Sequence, residues 1–146
     1  MSCGFHLRGL APIPFESIYI QASQTNKLDI KRRIEASSKT IVLDSPTDAQ
    51  ATLEITKAST KRIILSVSRT GRVREFQLRY TLAFRVTNQK GQVLVPASKI
   101  KINRVLPFSD SAFLSSQMEE KMIVEEMQKD AILKLMDRLG KVKLLD

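Results

Sequence analysis

The chain has 146 residues, 42% of them hydrophobic, which suffices for one domain with a true core. Its 24 Lys+Arg against 15 Asp+Glu leave a net charge of +9, a balance that favours a polyanionic partner. A single cysteine excludes an internal disulfide, and no apolar run reaches the roughly 20 residues of a membrane-spanning helix.

That cysteine, Cys3, stands at the start of Cys3-Gly4-Phe5-His6-Leu7-Arg8-Gly9. Chain ends are seldom where a structural thiol is buried, whereas bacterial lipoproteins are cut directly before a cysteine that then carries lipid. On that reading Met1-Ser2 is what remains of, or replaces, a signal peptide. The bland reading is a free thiol on a frayed tail.

Residues 1–14 read as a linker, residues 15–140 as one domain and residues 141–146 as a tail. A first strand is predicted over Glu16 to Gln21, bounded upstream by Pro12 and Pro14. Thr25-Asn26 offers an N-cap for a helix to about Ser38, with Leu28, Ile30 and Ile34 as its apolar stripe. Ile41-Val42-Leu43 is an extra strand or a covering segment, followed by a loop.

In Glu75 to Val86 every even position is apolar, as in a strand buried on one face. The strand before it carries Leu53, Ile55, Ile63, Leu65 and Val67 on odd positions. A two-residue Thr70-Gly71 turn would pair Leu65 with Phe76 and Ile63 with Leu78. Lys57, Ser59 and Lys61 interrupt the odd face, so a bulge or break is expected near Ala58 to Thr60. After Asn88-Gln89-Lys90-Gly91 a further strand, Gln92 to Val105, would set Leu78 against Ile102, Tyr80 against Ile100 and Val86 against Leu94. Pro96 places that strand at a sheet edge.

Ser116-Gln117-Met118-Glu119 is a capping box for a last helix whose core stripe is Met118, Met122, Ile123, Met127, Ala131, Leu135 and Leu139, with Gly140 as its stop. Its methionines suit an adaptable groove, but an amphipathic stripe on a sheet requires them as core. The expected fold is α+β: two helices packed on one face of a mainly antiparallel four-stranded sheet, in the order β-α-β-β-β-α. The other sheet face is left to Gln77, Arg79, Arg85, Lys99 and Lys101.

Catalytic chemistry has little to work with. One histidine and one thiol are too few for a structural zinc site, and the five glycines form no phosphate loop. A Cys3–His6 pair lies on the tail with nothing to orient it. Asp110, Glu119 and Glu120 read as helix-start capping. No enzyme, metal or cofactor is expected.

The N-terminal heptapeptide resembles the mature start of the LPS-assembly lipoproteins, the LptE (rare lipoprotein B) family. Ser68-Arg69-Thr70-Gly71 with Glu75-Phe76-Gln77-Leu78 is similar to that family's arginine-bearing hairpin, and Met122-Ile123-Val124-Glu125-Glu126-Met127 to its last helix. The resemblance implies a non-catalytic lipoprotein on the periplasmic face of the outer membrane, lipidated at Cys3. It also implies a partner, the LptD-like β-barrel, which the domain plugs and helps assemble, and a role in lipopolysaccharide transport to the cell surface. Arg69 matches a family position linked to lipopolysaccharide binding; Arg72 and Arg74 lie beside it, and guanidiniums can grip phosphates in bidentate fashion. A lysine that some relatives carry before the last helix is Ser116 here. A solvated turn without ligand stands as the alternative, with Lys99, Lys101 and Arg85 as a different cationic site.

Two other functions stay open. One is a nucleic-acid-binding module on the basic sheet face, where outward aromatics for base stacking are lacking because Phe76, Tyr80 and Phe84 share the core parity. The other is an envelope lipoprotein of the same fold with another partner.

Overall fold

The computed structural model describes residues 12–143. Five strands form one mixed sheet in the order β2-β1-β3-β4-β5: β1 (Ser17–Gln21), β2 (Ile41–Leu43), β3 (Ala51–Val67), β4 (Val73–Asn88) and β5 (Val93–Pro107). Helix α1 (Gln24–Ser37) follows β1, and α2 (Phe113–Gly140) follows β5 through a short 3-10 turn, Asp110–Ala112. The sheet therefore has five strands rather than the four expected from sequence, and it is mixed. Strand β1 runs parallel to β2 and to β3, with Ser17 opposite Ile41 and Ile18 opposite Ala51. Three residues are too few to show a period, which is why Ile41–Leu43 could not be assigned from its pattern alone. The backbone N–H of Ile41 donates to the Glu16 carbonyl at 3.0 Å and opens the β2 pairing.

The chain divides into two compact units. The first comprises the described residues up to Thr56, Ala83–Ser98 and the chain from Ile132. Ile18 and Ile20 alternate inward from β1, Ile30 and Ile34 come from α1, and Phe84, Val86, Leu135 and Leu139 complete a dense core. The Thr40 hydroxyl, itself buried, donates to the Phe15 carbonyl at 2.8 Å, so the loop into β2 leaves no polar atom unpaired there. Helix α1 starts three residues earlier than an Asn26 cap would set: Ser23 stands at the N-cap, without a side-chain cap bond.

The second unit comprises Lys57–Leu82 and Lys99–Ala131. Its core is smaller: Leu78, Tyr80, Leu82, Ile100, Ile102 and Leu106 from β4 and β5, with Met127 and Ala131 from α2. All the strand members are even-numbered, as a strand buried on one face requires. Strand β5 lies at the sheet edge, where a proline such as Pro96 is tolerated.

Two expectations for this unit need correction. Strand β3 is continuous from Ala51 to Val67, so the chain does not break at residues 58–60, although the buried odd positions Ala51 and Leu53 give way to half-buried or exposed ones beyond that point. Leu65 is 48% exposed rather than core. The cause is the turn: the Ser68 N–H donates to the Arg72 carbonyl at 2.7 Å, so the loop holds three residues, 69–71, and a two-residue register does not apply. The other correction is in α2. The helix begins at Phe113, carried in by the 3-10 turn, so Ser116 is a buried residue inside it and not its cap. Met118 and Met122 are 71% and 64% exposed.

Candidate functional site: the turn between β3 and β4

The turn is fixed by backbone chemistry. The Gly71 N–H donates to the Ser68 carbonyl at 3.0 Å, and Gly71 takes φ +82°, a left-handed value that closes the loop into a bulge. The Ser68 hydroxyl accepts the Arg72 N–H at 3.2 Å and shares a 2.9 Å hydrogen bond with the Thr70 hydroxyl. These bonds hold the tip without using an arginine side chain.

Arg69, Arg72 and Arg74 are all exposed on or beside this turn. Among the described residues, only Arg72 of the three meets a carboxylate, Asp110 in the 3-10 turn before α2, at 3.3 Å. Both partners are open to solvent, at 75% and 68% exposure, so the pair contributes at most about 1 kcal/mol. The β5 end is tied in separately, since the Phe108 N–H donates to the Arg74 carbonyl at 2.9 Å.

Beneath the tip an aromatic pair braces the hairpin. Phe76 and Phe108 meet edge to face with centroids 5.3 Å apart. The guanidinium of Arg62 lies 4.8 Å from the centre of the Phe76 ring and pairs with Glu120 on α2. Arg104 pairs with Asp130 on the same helix at 2.5 Å. Asp110 and Glu120, which the sequence suggested as capping groups, are thus ion-pair partners of Arg72 and Arg62. Nothing in their spacing forecasts that, because the contacts span 38 and 58 residues of chain.

Apolar side chains surround the same region. Ile64, Leu65 and Val67 on β3, Val105 on β5, and Phe113, Leu114, Met118 and Met122 on α2 are all exposed. Leu114, Met118 and Met122 are spaced four residues apart and form one stripe. The buried row, Met127, Ala131, Leu135 and Leu139, has the same spacing but is offset by one residue, about 100° around the helix. That offset, the five-residue step from Met122 to Met127, was present in the sequence and distinguishes a surface stripe from the core stripe.

The other candidates are distributed differently. Cys3 and His6 lie outside the described residues. Arg85 is paired with Glu54 at 2.5 Å, and Lys101 is exposed on β5 away from the turn, so neither joins the three arginines. Among the described residues no group of three His, Cys, Asp or Glu could hold a metal ion, and no helix is long and apolar enough to cross a membrane.

Comparison with known proteins adds identity to this geometry. The family LptE, described as lipopolysaccharide-assembly, matches residues 15–139. The LPS-assembly lipoprotein LptE of Pectobacterium atrosepticum is 25% identical over 142 residues, covering 94% of this chain and 76% of that one. The protein of the same name from Photorhabdus laumondii is 25% identical over 147 residues, with the same coverage. The solution structure of an uncharacterized lipoprotein B from Nitrosomonas europaea superposes with a TM-score of 0.81 at 32% identity, covering 91% of this chain and 87% of that one. The rare lipoprotein B of Shewanella oneidensis shares the fold, with a TM-score of 0.67 at 22% identity over 84% and 89% of the two chains. With the match running through both helices and all five strands, the chain belongs to the LptE family of lipopolysaccharide-assembly lipoproteins.

Proposed function

We propose that this protein is a non-catalytic outer-membrane lipoprotein, held at the periplasmic face by lipid on Cys3, that plugs an LptD-like β-barrel and helps assemble it. In that role it assists lipopolysaccharide transport to the cell surface and contacts lipopolysaccharide through Arg69, Arg72 and Arg74. The observation that carries the barrel reading is the exposed apolar set of the second unit. Eight of the twelve large apolar side chains that stand exposed among the described residues belong to it: Ile64, Leu65, Val67 and Val105 on strands, and Phe113, Leu114, Met118 and Met122 on α2. That concentration of exposed apolar side chains in one unit supports a partner surface there. The adjoining arginines supply cations that phosphorylated lipid requires, and their guanidiniums grip phosphate in a way ammonium groups do not.

The test is co-purification from the native host. The full precursor with its own signal peptide and a C-terminal tag is extracted in mild detergent. A large outer-membrane barrel in stoichiometric amount is the expected companion; its absence, or recovery with nucleic acid, would reject the reading. In a host depleted of the barrel, Cys3→Ala in the same precursor should move the folded domain from the membrane to the soluble fraction, because both the lipid anchor and the membrane partner are then missing. Retention in the membrane of that host would defeat the anchor assignment.

A further inference from the structure

Between the hairpin tip and the start of α2 lies a notch of about 550 Å³, open to solvent and lined by the polar Ser68, Arg72, Arg74, Ser109, Asp110 and Ser111 and the apolar Val73 and Phe108. Its polar groups are two guanidiniums, three hydroxyls and one carboxylate. The hydroxyls are already held in place. Ser109 and Ser111 share a 2.8 Å hydrogen bond, and the Ser68 hydroxyl is fixed by the turn backbone. Guanidiniums with short hydroxyls around them form a donor set suited to a phosphate group. Asp110 is the exception, an anion placed where an anionic ligand would sit, and its partner is Arg72.

We propose that this notch is a phosphate subsite in which Asp110 holds Arg72 when the site is empty and competes with the incoming phosphate for that guanidinium. The inference rests on the reading above that the tip meets lipopolysaccharide, and it adds the group recognised and the residue that regulates the encounter. The arrangement suits displacement. The Arg72–Asp110 contact is long, at 3.3 Å, and exposed on both sides, so it costs little to break. A phosphate offers two oxygens to one guanidinium, where Asp110 engages a single nitrogen. Asp110 therefore sets a modest threshold: it lowers affinity for any anion by about what the exposed pair contributes, and a phosphate that engages two nitrogens of Arg72 overcomes it most readily.

The experiment is calorimetric titration of the 146-residue chain with lipid A in octyl glucoside micelles, at low ionic strength. Asp110→Asn should bind roughly three- to fivefold more tightly than the parent chain, a gain of the size of one surface ion pair. The gain should vanish in Asp110→Asn combined with Arg72→Gln, with lipid A stripped of its phosphates, and in 0.5 M salt, where such pairs are screened. Glu119→Gln, which removes the same charge from a neighbouring exposed position, should leave affinity unchanged; an equal gain there would reduce the effect to net charge and overturn the proposal. The triple Arg69→Gln, Arg72→Gln, Arg74→Gln separates the two readings. If it weakens binding while Asp110→Asn does nothing, the tip binds and the threshold is wrong. If it binds as well as the parent, the tip reading fails and the notch fails with it.

Discussion

Two turns of this protein share one backbone and differ in almost everything else. At Ser68–Arg72 and again at Asn88–Gln92, the first residue donates to the carbonyl of the fifth, the fourth donates back to the first at 3.0 Å, and that fourth residue is a glycine at φ +82°. In the second turn the side chains complete the structure. Asn88 Oδ1 accepts the N–H groups of Lys90 and Gln92, both at 2.9 Å, and its amide donates to Gln92 Oε1 at 2.7 Å. Gln89 adds a bond to the Thr47 carbonyl at 3.0 Å. In the first turn, Arg69 and Arg74 meet no carboxylate among the described residues, and Arg72 has only its loose pairing with Asp110. The same loop is thus used once to close a hairpin and once to present charge. Backbone geometry alone does not set what a turn presents; the side chains left available do.

The largest expected effect separates the turns by charge. Arg69→Gln, Arg72→Gln and Arg74→Gln together remove three positive charges; Lys90→Glu with Gln89→Glu also shifts the charge by three, two from the first change and one from the second. At an anionic lipid surface each cation is worth about 1 kcal/mol, so the arginine variant should lose on the order of 100-fold in lipopolysaccharide affinity. The matched variant at the other turn should lose less than about threefold, since its charge is not at the site. Equal losses from the two, measured in the same titration, would show that net charge and not the first turn governs binding.

How far the sequence alone leads also differs between regions. The even-numbered apolar run of β4 was legible because alternation over twelve residues has one structural meaning, and Leu78, Tyr80, Leu82, Phe84 and Val86 are all buried. Pro96 placed β5 at an edge for a similar reason: the constraint is local. Leu65 was misplaced because one extra loop residue reverses which side a strand presents. Met118 and Met122 were assigned to the core because two stripes of identical spacing lie side by side on α2, and only the sheet beneath decides which is covered. The arginines of the turn stand out by type and position, and all three are exposed. Asp110 reads from sequence only as a capping group, since its pairing with Arg72 is a contact 38 residues away. The short parallel strand β2 was ambiguous because it depends on pairing with β1 and not on its own three residues.

A smaller effect tests whether the two backbones are equivalent. No atom lies within 4 Å of where a Cβ would be added at Gly71 or Gly91, so Ala at either position meets no clash and bears only the left-handed strain. Gly71→Ala and Gly91→Ala should each cost about 1–2 kcal/mol, read as similar drops in Tm of a few degrees. Lipopolysaccharide binding should fall in Gly71→Ala alone. A stability cost much larger at one glycine would mean that the turns are not the same construction after all.

The smallest effect concerns the side chains that the turns keep for themselves. Asn88 makes three hydrogen bonds within its loop and Ser68 makes two, one of them with Thr70, which can turn to water instead. Exposed neutral bonds of this kind contribute a fraction of a kcal/mol each once competition with water is counted. Asn88→Ala should therefore destabilise by about 1 kcal/mol and Ser68→Ala by about half that, with denaturant midpoints as the readout. The order matters more than the size. If Ser68→Ala were the costlier change, the first turn would be held by its own side chains as firmly as the second. Its arginines would then be the exposed residue of an ordinary rigid loop, and the contrast between a closing turn and a presenting one would be lost.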